Sequence, residues 1–168
     1  MSSKNTILSQ FMQQVNRYEF EKQVSKYNGD KGTSIYRCFS ILIIMIFSQI
    51  KSKSNLRELE SGMNAISSNF YHLNVKKVKR SSLSDALKNR PEKVFQDYYY
   101  SLYEKLNRKQ KRTYERNMKI LDSTTISLCL SMFDWAKFRS SKGGIKIHTL
   151  IDYNTNAPEK IIVDTAEE

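Results

Sequence analysis

One carboxylate stands out by its neighbours. Asp122 follows Ile120 and Leu121 and precedes Ser123, Thr124, Thr125 and Ile126. The β-branched run reads as a strand, and a carboxylate buried in a strand is costly unless it is paired or binds a cation. A hard divalent ion such as Mg2+ takes carboxylate oxygens, and held there it can activate water or a 3′ hydroxyl against a phosphodiester. The same spacing also suits a local bond between Asp122 and Ser123 or Thr124 in a turn. Taken alone, the spacing slightly favours that second reading.

A second group is cationic. Lys76, Lys77, Lys79 and Arg80 come just before a short helical stretch, 83–90, whose polar side offers Ser84, Lys88 and Arg90. Ammonium and guanidinium groups at this density hold phosphates, and the first turn of such a helix can reach base edges. The alternative is a capped, solvated surface helix with charged flanks. Charge over the whole chain has the same polarity. The formal net charge is +11, with residues 1–120 at +13 and residues 121–168 at −2. The stretch 76–119 is the steepest, with 14 basic and 5 acidic residues. Such a field draws polyanions.

The elements that would position these groups differ between the two halves. In the front half, Ile7, Leu8, Phe11, Met12 and Val15 recur at helical steps, and Phe20 to Tyr27 forms a second amphipathic stretch. Asn28 to Gly32 is a turn, after which Thr33 or Ser34 is the expected cap of an apolar helix. Its buried face is expected at Ile35, Phe39, Leu42, Ile43, Ile46 and Ile50. Asn55 and Glu58 have capping-box spacing in a short helix ending near Gly62, and Ser82 and Asp85 repeat that spacing. A connector, 64–74, would be anchored by Phe70, Tyr71 and Leu73. Two short helices around a connector resemble a helix-turn-helix reader. A helix over 92–107 places Val94, Phe95, Tyr98, Leu102 and Leu106 on one face, and a basic linker, 108–117, follows.

From Met118 the helical period gives way to β-branched runs. Three strands are expected, one at 119–126, one from Ile145 to Asp152 and one from Glu159 to Asp164, forming an antiparallel meander. An excursion, 127–139, holds the only tryptophan, Trp135. The chain reads as α+β: a helical domain over 1–107, the linker, and a β-rich segment over 118–168.

Composition excludes several classes. Hydrophobic residues at 39% supply a core and argue against a disordered tail. Cys38 and Cys129 have neither disulfide-scaffold nor zinc-ribbon spacing. The apolar run Ile41 to Phe47 is too short to cross a bilayer, and the first ten residues have no signal-peptide core. The expectation is a reduced, cytoplasmic protein with no membrane partner.

Three further segments carry a family likeness. Leu121-Asp122-Ser123-Thr124-Thr125-Ile126, Phe133-Asp134-Trp135-Ala136-Lys137-Phe138-Arg139 and Lys142-Gly143-Gly144-Ile145-Lys146-Ile147-His148-Thr149 together resemble the start of the catalytic domain of bacterial insertion-sequence DDE transposases. Asn5 to Phe11, Ser54 to Glu60 and Lys79 to Arg90 resemble the helical N-terminal domain of the same enzymes. The likeness implies an RNase H-like sheet with Asp122 as the first catalytic, metal-binding carboxylate for Mg2+ or Mn2+. It also implies Arg139 and Lys142 as phosphate contacts, and transposon-end DNA as the partner, with homo-oligomers left open. The family's second Asp, and the Glu of its Tyr-x-x-Arg-x-x-x-Glu motif, have no counterpart here. The reading is therefore an N-terminal part of a transposase that does not catalyse transposition alone. The alternatives are a non-enzymatic DNA-binding protein competing for element ends, or a relic without a role.

Overall fold

The structure, a computed structural model, describes residues 7–53, 55–65, 75, 77–110, 118–128, 137–139 and 142–165. It divides into two compact units, Met1–Tyr99 and Tyr100–Glu168. The boundary falls inside one helix.

The first unit is helical: α1 (Ile7–Gln13), α2 (Arg17–Lys26), α3 (Cys38–Ile50), α4 (Leu56–Ala65), α5 (Arg80–Asn89) and the start of α6 (Glu92–Gln110). α3 is its spine. Ile41, Ile43, Ile44 and Phe47 are buried on more than one side of it, because α1, α4 and α5 contribute Leu8, Leu59, Met63 and Leu83 to the same cluster. A second cluster joins Phe20 and Val24 of α2 to Cys38, Val94 and Tyr98. Phe20 sits edge-on to Tyr98, with ring centroids 5.1 Å apart. Lys26 Nζ donates to Asp97 Oδ2 at 2.7 Å, and the Tyr27 hydroxyl donates to the same oxygen at 2.6 Å, tying α2 to α6. The bond from Lys26, then that from Tyr27, hold the Asp97 carboxyl below the usual carboxylate range.

Several helix boundaries depart from the sequence expectation, each for a physical reason. α3 starts at Cys38 rather than near Ile35, and neither Thr33 nor Ser34 caps it. Asp30 serves instead, its Oδ1 accepting the Cys38 N–H at 2.7 Å from the preceding turn. Ile35 therefore lies before the helix and is 55% exposed, and the buried face shifts to Ile41, Ile44 and Phe47. The Asn55–Glu58 cap forms, with the Glu58 N–H donating to Asn55 Oδ1 and Asn55 Nδ2 donating to Glu58 Oε1, both at 2.9 Å. Its helix continues past Gly62 to Ala65. α5 begins at Arg80, so Ser82 lies inside the first turn and its expected capping box with Asp85 is displaced. The Arg80 N–H instead finds Glu60 Oε1 of α4 at 3.2 Å. In α6, Leu102 is exposed and Tyr103 is buried, and the helix runs to Gln110, through the start of the expected linker. Phe70, Tyr71 and Leu73 lie outside the described residues.

The second unit is built on an antiparallel sheet of three long strands, β1 (Lys119–Leu128), β3 (Lys142–Asp152) and β4 (Ala157–Thr165). A short strand, β2 (Lys137–Arg139), lies in the segment expected to be an excursion. β3 is central. It pairs with β1 on one side, and with β2 and then β4 on the other. The α+β class and the antiparallel meander of three long strands match the expectation. The β3–β4 turn is an Asx turn, with Asp152 Oδ1 accepting the N–H groups of Asn154 at 2.9 Å and Thr155 at 3.1 Å. Asn156, with φ at +52°, supplies the left-handed residue before β4.

Candidate nucleic-acid interface and the Asp122 strand

The approach to α5 is held rigidly before any charge is considered. Asn64, near the end of α4, donates from Nδ2 to the Val78 carbonyl and accepts the Val78 N–H at Oδ1, both at 2.9 Å. Next along the chain, the Lys79 N–H donates to the buried Tyr36 hydroxyl at 2.8 Å. Val75 and Val78 are buried in the core, whereas Lys77 beside Val78 is exposed. Lys77, Lys79 and Arg80 are exposed there. Lys88 is exposed on α5 and Ser84 is half-buried. A rigid backbone presenting cations suits phosphate contact, because little order has to be gained on binding.

Arg90 behaves differently from the other expected DNA contacts. Its Nε donates to the Tyr36 carbonyl at 3.2 Å and its Nη2 donates to the Thr33 hydroxyl, so the guanidinium is built into the turn before α3. Lys76 lies outside the described residues. Arg139 stands in β2 and Lys142 opens β3, and only their backbone positions are described. α4 and α5 pack against each other, but 14 residues separate them, against the three or four of a compact helix-turn-helix.

Asp122 lies on β1 opposite Thr149 of β3, which itself faces Ile161 of β4. Alternation then puts Ile120, Asp122, Thr124 and Ile126 on one face with Ile145, Ile147, Ile151 and Val163. The expected burial of Asp122 is not found. It is exposed, and its Oδ2 accepts the Thr124 hydroxyl at 3.1 Å. That is the local bond the spacing allowed, made along a strand rather than in a turn. Asp152 and Asp164 occupy the opposite face, opposite Lys119 and Lys146 respectively. Among the described residues, no second carboxylate shares the face of Asp122, and no group of three or more metal-ligating side chains occurs. On that face the described sheet therefore supplies one carboxylate to a centre that needs several ligands.

The opposite face carries a charge cluster that sequence reading missed. Lys119 Nζ donates to Asp152 Oδ2 at 3.2 Å and pairs with Glu159. A β-bulge between Leu150 and Ile151 of the β3–β4 register leaves Glu159 as the extra residue. The bond to Glu159 is the main cause that raises the Lys119 ammonium above the usual lysine range. Burial pushes the Asp152 carboxyl up, but the N–H of Thr155, Lys119 and the N–H of Asn154 together outweigh it and hold it below the usual value. Its carboxylates pair with Lys119, and Asp152 also accepts the N–H groups of its own turn, so the cluster reads as structural.

Residues 3–76 match the family model described as "Domain of unknown function (DUF4372)". No curated protein and no solved structure matches the chain. The matched segment contains α1 to α4 and ends at Lys76, the first residue of the cationic approach to α5. Its core is not closed by its own residues, since Val78, Leu83 and Ala86 complete one cluster and Val94 and Tyr98 the other. Among the described residues no helix is long and apolar enough to cross a membrane.

Proposed function

We propose that the chain binds DNA through the cationic approach to α5, as the end-recognition part of an insertion-sequence transposase in which Asp122 is the first carboxylate of the catalytic sheet. The observation that carries this reading is the exposure of Lys77, Lys79, Arg80 and Lys88 around a segment pinned by Asn64 and Tyr36. The +11 net charge supports it, because each neutralised phosphate releases condensed counterions. The antiparallel strand order and the place of Asp122 on β1 agree with the likeness to DDE transposases.

The test is fluorescence anisotropy of the full chain on duplexes from the DNA flanking its coding sequence, against scrambled duplexes. Tighter binding to the flanking DNA is expected. Substituting Lys79 or Lys88 with Ala should weaken all duplexes alike and lower the salt slope by about one per lost contact. Equal affinity for both duplexes would overturn end recognition, and no binding at low salt would overturn DNA binding.

A second reading is a non-catalytic DNA-binding protein that competes for element ends; the observation that favours it is that, among the described residues, no other carboxylate shares the sheet face of Asp122. Strand nicking dependent on Mg2+ or Mn2+ and abolished by Asp122→Asn would decide against it.

A further inference from the structure

Among the described strands, β4 pairs with β3 alone, so its other side is an open row of backbone donors and acceptors. Natural sheets blunt such edges with prolines, inward charges or short length. β4 has its one proline, Pro158, near its start, and then exposes three consecutive apolar residues, Ile161, Ile162 and Val163, at 45%, 48% and 58%. Exposed Lys160 and Asp164 flank them, one at each end. The order Lys-Ile-Ile-Val-Asp thus sets β-branched residues on both sides of Ile162 and opposite charges at its two ends.

We propose that the β4 edge is a self-recognition site that pairs two copies of this chain antiparallel about a two-fold axis through Ile162. In that register, Lys160 of each copy faces Asp164 of the other, Ile161 faces Val163, and Ile162 faces itself. Directly opposed residues share a face, so both ion pairs fall on the face that already holds Lys146 and His148. Both Ile161–Val163 contacts fall on the face of Asp122 and Ile147. A two-fold axis normal to the sheet keeps like faces together, so the two sheets become one with a continuous apolar face. The β1 edge offers no such register. About Ser123, its central residue on the Lys119 face, Lys119 meets Ser127 and Asp122 meets Thr124. An isologous β4 contact closes at two copies.

The test is sedimentation equilibrium of the full chain, with Lys160→Asp, Asp164→Lys and the double reversal alongside. The wild type is expected to dimerise with concentration. Each single reversal sets like charges opposite each other twice and should weaken the dimer about tenfold or more, and the double reversal should restore it. All three changes are at exposed positions, and circular dichroism checks that the sheet remains. As an independent readout, Ile162→Cys should form a covalent dimer on mild oxidation, since cross-strand partners bring Cβ atoms to disulfide range. Tyr153→Cys, outside the proposed register, should not. A monomeric wild type, a double reversal no better than the singles, a ladder of species larger than dimers, or equal cross-linking at both positions would each overturn the proposal.

Discussion

Asn64 bonds both backbone groups of Val78 across 14 residues of sequence, its amide donating to the Val78 carbonyl and accepting its N–H, each at 2.9 Å. Val78 is 1% exposed, so neither of its backbone groups has ready access to water. Asn64→Ala leaves a buried donor and a buried acceptor without these partners, and should destabilise the helical unit by about 2–4 kcal/mol. Asn64→Asp keeps the acceptor for the Val78 N–H but sets a carboxylate oxygen against the Val78 carbonyl, so it should also destabilise the unit. The midpoints of urea unfolding, compared at constant slope, check both.

Arg90 and Lys88 were expected to act alike, and the structure separates them. Arg90→Ala breaks charge-assisted bonds to Tyr36 and Thr33 and should cost about 1.5–3 kcal/mol in stability. Exposed Lys88→Ala should leave stability within about 0.5 kcal/mol of the parent. Any loss of DNA affinity at Lys88 should appear with an unchanged melting curve, and at Arg90 with a lowered one.

Gly29 is required by close approach. A Cβ there would lie 2.8 Å from Cys38 Sγ and 3.2 Å from Val94 Cγ2. Gly29→Ala should destabilise by about 1–3 kcal/mol through overpacking. Adding Cys38→Ala removes the nearer atom, so the double variant should be more stable than the sum of the two single losses. A double-mutant cycle in urea measures the coupling.

The Lys119–Asp152–Glu159 cluster makes the sheet sensitive to acid. The folded Asp152 carboxyl lies below its unfolded value of about 3.9. Its contribution is therefore full above that value and is lost as pH falls through the lower folded one. Lys119 has the opposite sign, being raised in the fold, so its contribution is full below about 10.4 and is lost as pH rises through the folded value. In Asp152→Asn, the sheet should lose stability near neutrality and show a shallower decline in acid. Chemical denaturation at a series of pH values, followed by strand circular dichroism, checks both signs.

What the sequence made legible was local or periodic. The Asn55–Glu58 cap spans three residues, and the alternation of Ile145, Ile147, Thr149 and Ile151 sets the β3 face without reference to any partner. What it hid were bonds between distant segments. The cap of α3 comes from Asp30, eight residues before the N–H it binds, and that of α5 from Glu60, twenty residues before. Propensity at Thr33 or Ser82 cannot compete with a carboxylate delivered by the tertiary fold. Alternation likewise gave the face on which Asp122 stands but not its exposure, which depends on what covers that face. The role of Arg90 was invisible for the same reason, because a cation at a helix end reads as solvent-facing until the carbonyl it binds is known.

The Cys38 thiol is fully enclosed between Asp30, Gly29 and Val94, and burial followed by its bond with Asp30 pushes its pKa up to about 12. Thiolate is the reactive form, so this sulfur is chemically silent while the helices remain packed and becomes alkylatable only when they separate. With Cys129 replaced by Ser, the rate at which a maleimide consumes the remaining thiol becomes a clock for the opening of the helical unit.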